Sequence, residues 1–191
     1  EIRHALHKGP VRTFLKELAD TETFLSATDG TVKKDRMADR ECVLRFLGFK
    51  IDPWENYSSN DLDGFLGTAM VKINGMTSQQ RSALKADFDK AMRAARDIFD
   101  NDAFRKRYSS GAARNPVSKA LFEAWSVQLA RCTPEQIRVL VKRKEDVKNS
   151  FIDLMKDDRS FEVAISYSTG VPQRVEKRFK AIKQLVEGYL A

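Results

Sequence analysis

The sequence predicts an all-α fold: an irregular bundle of about seven to nine helices with little or no sheet, forming one domain over residues 1–191. A subdivision, if the chain has one, falls near residue 76. Three observations predict this class. Apolar residues recur at spacings of three and four along several segments, which draws a single stripe down a helix. Period-two alternation is not sustained over five or more residues anywhere. Nine glycines and five prolines are too few to make the turns of an all-β sandwich of this length. Twelve Phe, two Trp and four Tyr are enough for a core and exclude a disordered tail. A chain of this size buries roughly 70% of its unfolded surface. No apolar run approaches the ~20 residues that span a bilayer, so no membrane partner is expected.

Taken in order, Pro10 starts a short helix that ends near Ala19. Asp39 is placed to cap the run Arg40 to Lys50, which is apolar over most of its circumference and is expected to be deeply buried. Gly75 closes the next segment, and Thr77 or Ser78 caps a long helix to about Asp100. Leu84, Phe88, Met92, Ala95 and Phe99 form the inner face of that helix. Asn115-Pro116 reads as a cap followed by a first-turn proline, opening a helix whose stripe is Leu121, Phe122, Trp125 and Leu129. Thr133-Pro134 repeats the device. Pro172 begins the last helix, with Val175, Phe179, Ile182, Val186 and Tyr189 on one side and Lys177, Lys180, Lys183 and Gln184 on the other. The expected loops are Ala27–Lys34, Asp52–Asn60, Tyr108–Arg114 and Ser166–Gly170, and no internal repeat is evident.

Charge is unevenly spread. The chain carries 34 basic and 27 acidic residues, a net of +7, but residues 1–64 are −2 while 65–128 are +5 and 129–191 are +4. A basic balance in the later two-thirds suits DNA or another polyanion as partner, and equally suits a soluble protein with no such partner. Cys42 and Cys132 lie far apart in apolar helical surroundings and read as reduced core thiols, which points to the cytoplasm. No secretory leader is visible, and a start on Glu1 suggests a fragment of something longer.

Enzyme motifs mostly fail. His4 and His7 share a face if helical, but no Cys or carboxylate completes a metal site. A histidine-dependent nuclease or Ser-His-Asp site needs a histidine beyond residue 7, and there is none. Asp29-Gly30 and Asp63-Gly64 lack the neighbours of a phosphate-binding loop. No catalytic residue, metal or cofactor is therefore assigned within this chain.

Basic residues supply the binding candidates. Arg45 lies in a polar sector with Glu41 and Gly48, and Glu41 four residues earlier suits an intrahelical pair worth ~0.3–0.5 kcal/mol. Arg45 either holds that buried helix in register or projects toward a partner domain. Lys144 and Lys148 fall on the stripe of Ile137, Phe151 and Met155. Three explanations are open: the helix is interrupted there, the lysines snorkel from the core edge, or the segment faces a polyanion. Arg105, Lys106 and Arg107, with Arg114, surround a Ser/Gly-rich loop that either grips phosphates or is simply solvated. Aromatic residues are not interleaved with these charges in sequence, which argues against a stacking platform. The basic flank Lys85, Lys90, Arg93 and Arg96 is broken up by Asp89, Asp97 and Asp100 and reads as a solvated face.

Several runs resemble a known family. Glu1-Ile2-Arg3-His4-Ala5-Leu6 before Gly9-Pro10, Arg36 to Leu47, Asp102 to Arg105, Lys119-Ala120-Leu121-Phe122-Glu123-Ala124, and Ser168-Thr169-Gly170 followed by Arg174 to Ile182 occur in the order seen there. Together they resemble the helical C-terminal half of the proteins that head GmrSD-type modification-dependent restriction systems. The resemblance adds Arg174 and Arg178 to the candidates for DNA or interdomain contact. It implies an upstream ParB-like domain, with an Asp-Gly-Gln-Gln-Arg motif, that uses a nucleoside triphosphate and a divalent cation. That motif is absent from this sequence, so no catalytic residue carries over. The function expected is a non-catalytic helical domain packing on and regulating such a domain in phage defence. The alternatives are an autonomous DNA-binding module, or a scaffold that forms homo-oligomers.

Overall fold

A computed structural model describes residues 7–190. Among these there are ten α-helices and no strand, so the class is all-α. The helices are α1 (Pro10–Ala19), α2 (Glu22–Thr28), α3 (Ala38–Ile51), α4 (Leu62–Asn74) and α5 (Ser78–Phe99), then α6 (Lys119–Arg131), α7 (Pro134–Lys142), α8 (Lys144–Asp157), α9 (Arg159–Ser166) and α10 (Pro172–Gly188). Ten exceeds the seven to nine expected, because short helices such as α2 and α9 carry too few turns to show a periodic stripe.

Helix ends mostly follow local chemistry. Thr77 caps α5 and Thr133 caps α7, each in a reciprocal capping box with the glutamine three residues on, Gln80 and Gln136. Asp61 and Asp158 cap α4 and α9 through their carboxylates. Pro10, Pro134 and Pro172 occupy first-turn positions, where the missing N–H is harmless.

Two expected starts are corrected. Asp39 is not the cap of α3, which begins one residue earlier. Met37, in the left-handed region at φ 58, precedes it, and the Asp39 carboxylate sits in the first turn accepting from the Arg40 amide at 2.8 Å. Asn115-Pro116 does not open α6 either. Ser118 caps that helix by accepting from the Leu121 amide. Residues 115–117 lie outside any helix, and Val117 pairs with Arg105 in an isolated antiparallel bridge. The segment from 134 to 157 is interrupted at Arg143, where ψ rises to 25° and α7 gives way to α8. That break moves Lys144 and Lys148 off the stripe of Ile137.

α6 is the centre of the bundle and packs on α3, α5 and α10. Ten of its thirteen residues are buried, and α3 is buried without interruption from Cys42 to Phe49. Trp125 lies between Phe99 and Phe151, and Phe24 bridges Phe88 and Phe122. A single apolar cluster runs from Val11 to Val186 and crosses residue 76 without a gap. Cys42 and Cys132 are buried free thiols within it. α4 is peripheral, packing on α3 and α1.

Candidate functional site: a buried charge cluster and the basic surface

A carboxylate at the centre of an apolar bundle demands partners, since an unpaired buried charge is strongly destabilising. Glu123, on α6, is fully buried. Its Oε2 accepts from Arg45 Nη1 of α3 at 3.0 Å, and its Oε1 accepts from Arg178 Nε of α10 at 2.8 Å and also from Arg178 Nη2. Arg45 Nε donates to Glu41 Oε1 at 3.1 Å, and Arg178 Nη1 reaches the Ala164 carbonyl at 3.4 Å. Two guanidinium groups and two carboxylates thus tie α3, α6 and α10 together and touch the end of α9. Burial acts to lower the Arg45 pKa, but the charges of Glu123 and Glu41 outweigh it and raise the value above the usual arginine range. Tyr57 covers this region, its hydroxyl donating to the Gly170 carbonyl at 2.6 Å, and burial raises its pKa. Burial also pushes the Cys42 thiol up to about 12, which keeps it protonated and unreactive.

Arg45 therefore makes the intrahelical pair expected of it and a second pair that the sequence did not disclose. Arg178 is wholly enclosed, so its guanidinium is spent on Glu123. The signal that was available is Glu123 itself, the one carboxylate in the first three turns of a helix whose neighbours are apolar.

The remaining candidates bind their own chain. Arg105 is buried and donates to the carbonyls of Asn101, Asn115 and Thr28 and to the Thr31 hydroxyl, pinning the loop after α2. Burial lowers its pKa. Arg107 holds the Ala112 and Ser110 carbonyls and pairs with Asp102 at 3.3 Å. Arg114 bridges Asp29 at 2.9 Å and Asp102 at 3.4 Å. The loop after Tyr108 is thus stitched from inside by three arginines. Lys144 and Lys148 converge on Asp100, at 3.3 Å and 2.7 Å. Lys106 donates to Ser166 Oγ at 2.5 Å, and Arg174 to the Tyr167 carbonyl. These last two cations lie 68 residues apart in sequence, yet they meet around the end of α9.

Among the described residues no group of three His, Cys, Asp or Glu side chains could hold a metal ion. His7 rests against Gly67, and His4 lies outside the described residues. A surface hollow of about 450 Å³ lies between α8 and α10 and is lined by Leu154, Leu185 and Ala181 with Lys177, Lys180 and Asp158. No described helix is long and apolar enough to cross a membrane. No protein-family model, curated protein or solved structure matches this chain.

Proposed function

We propose that this chain is a non-catalytic helical domain that packs on a ParB-like nucleotide-binding domain ahead of it and regulates that domain in a restriction-type defence protein. The outer face of α4 carries the reading. Asn74 grips the incoming chain, donating to the Lys8 carbonyl at 2.9 Å and accepting from the Val11 amide at 2.9 Å. Gly9, at φ 126, lies so close to Asn74 that a side chain there would collide with it. The polypeptide thus reaches the bundle along α4, whose exposed residues are Asp63, Gly64, Thr68, Val71 and Lys72, with Gly75 just past its end. Val71 is 58% exposed. A row of small residues around the exposed Val71, flanked by Asp63 and by the Lys72–Asp52 pair, lies beside the point of arrival and suits a domain joined there. The Arg45–Glu123–Arg178 cluster supports the same reading by making the platform rigid behind it.

The nucleoside triphosphate and its divalent cation would then belong to the other domain. The test is the parent reading frame, followed by binding of this chain to the separately purified upstream domain. An Asp-Gly-Gln-Gln-Arg domain should precede Glu1, and Val71→Asp should weaken the association at least tenfold. A short unrelated leader, or association unchanged by Val71→Asp, overturns the proposal.

A further inference from the structure

Most aromatic side chains among the described residues are buried, with Phe65 and Tyr189 partly so. Among the described residues only Tyr108 and Tyr167 are exposed aromatics, at 38% and 61%. Both stand at the meeting point of Lys106 and Arg174. Tyr167 follows the last residue of α9, and Tyr108 opens the Ser/Gly-rich loop. Lys106, two residues before Tyr108, is anchored on Ser166, the residue before Tyr167, and this brings the two tyrosines to one face. The Tyr108 phenol lies against Glu162. Partial burial first, then the Glu162 charge and hydrogen bond, raise its pKa, with a further contribution from Tyr167.

Charge on this face is positive. Arg159 points outward, its side chain 81% exposed, and donates to Glu162 Oε2 at 2.9 Å. Lys106 lies 3.9 Å from Glu162 Oε1, and Arg174 is held to the Tyr167 backbone. Arg159 and Lys106 thus flank one carboxylate that is itself only 14% exposed, and Arg174 stands beside the Tyr167 backbone. Serine and threonine hydroxyls of the 109–110 and 168–169 turns border the same face. Exposed tyrosines set among cations and hydroxyls match a ligand with both phosphates and free base faces. In a duplex those faces are already stacked, and an acidic peptide leaves the tyrosines without a partner.

We propose that the Tyr108–Tyr167 face binds single-stranded nucleic acid, its bases stacking on the tyrosines and its phosphates meeting Lys106, Arg159 and Arg174. The observation is independent of the α4 surface, so the two proposals stand or fall separately. The test is fluorescence anisotropy on the full chain with a labelled oligothymidylate of about a dozen nucleotides at about 50 mM salt, against a duplex of equal length. The single strand should bind more tightly than the duplex. Tyr167→Ala should weaken binding by about fivefold or more, as expected for loss of one stacked base, while Tyr167→Phe retains it. Arg159→Ala should reduce the slope of log K against log salt by about 0.7. Arg138→Ala, on the distant and equally exposed surface of α7, should change nothing. No binding at this salt, a duplex bound as tightly as the single strand, or Tyr167→Ala behaving like Arg138→Ala overturns the proposal. So does full competition by polyglutamate at equal charge, which would make the face a reader of charge alone.

Discussion

Replacing Glu123 by glutamine keeps the shape of the side chain and removes its charge. Arg178 is then left fully buried with no carboxylate, and Arg45, whose side chain is 11% exposed, keeps only Glu41. Breaking a buried pair by removing one partner costs about 3–5 kcal/mol. For a chain of this length each kcal/mol lowers Tm by about 2–4 °C, so Glu123→Gln should fall by roughly 6–20 °C. Thermal unfolding followed by circular dichroism at neutral pH reads this directly. The triple variant Glu123→Met, Arg45→Met and Arg178→Met separates a charge left stranded from a cavity. It removes the three buried charges at the centre of the cluster, leaves no uncompensated guanidinium on α3 or α10, and should recover most of the lost stability. A fall of less than about 2 °C in Glu123→Gln would refute the reasoning, because it would mean that water or the Ala164 carbonyl already satisfies Arg178 without the carboxylate.

Asp158 caps α9 and pairs with Lys177 at 2.6 Å. Partial burial opposes ionisation, but bonds from Lys177, Ser160 and the Phe161 amide win and lower its pKa to about 2. A depressed carboxylate stabilises above its unfolded value near 4 and loses that contribution as pH falls toward 2. Asp158→Asn, which retains the cap, should therefore be less stable than the native chain at pH 7, with the gap closing in acid-titrated urea melts between about pH 4 and 2. Neither Cys42 nor Cys132 should react with an aromatic disulfide reagent at pH 8 in the native chain, and both should react once it is unfolded in guanidinium. Rapid labelling of the native protein would show that α3 or the end of α6 opens. Ser118→Ala should cost about 1 kcal/mol in urea denaturation, whereas Pro116→Ala should be nearly silent, since the cap of α6 lies at Ser118 and not at Asn115.

Much of the helix pattern was legible because it is local. The stripes of α5 and α10 need only the 3.6-residue period, and Thr77, Thr133 and the first-turn prolines act on residues within one turn. Asn115-Pro116 misled for a physical reason: the same dipeptide signals a cap or an extended approach, and the choice was made by Arg105, which takes the Asn115 carbonyl at 2.7 Å. The break at Arg143 was legible only as an alternative, because lysines on an apolar stripe fit several geometries. Of the candidate cations, Arg45 alone had its role in view, through Glu41 one turn away.

By itself, then, the sequence determined that this chain is helical, where most helices start and which faces turn inward. Only the tertiary structure decided what the charges do. Glu123 meets Arg45 from 78 residues away and Arg178 from 55. Tyr108 and Tyr167, separated in sequence by four helices, come to one face because α9 folds back beside residues 105–108. Periodicity is set by bonds along the chain, whereas the partner of a buried or clustered charge is set by which helices pack side by side.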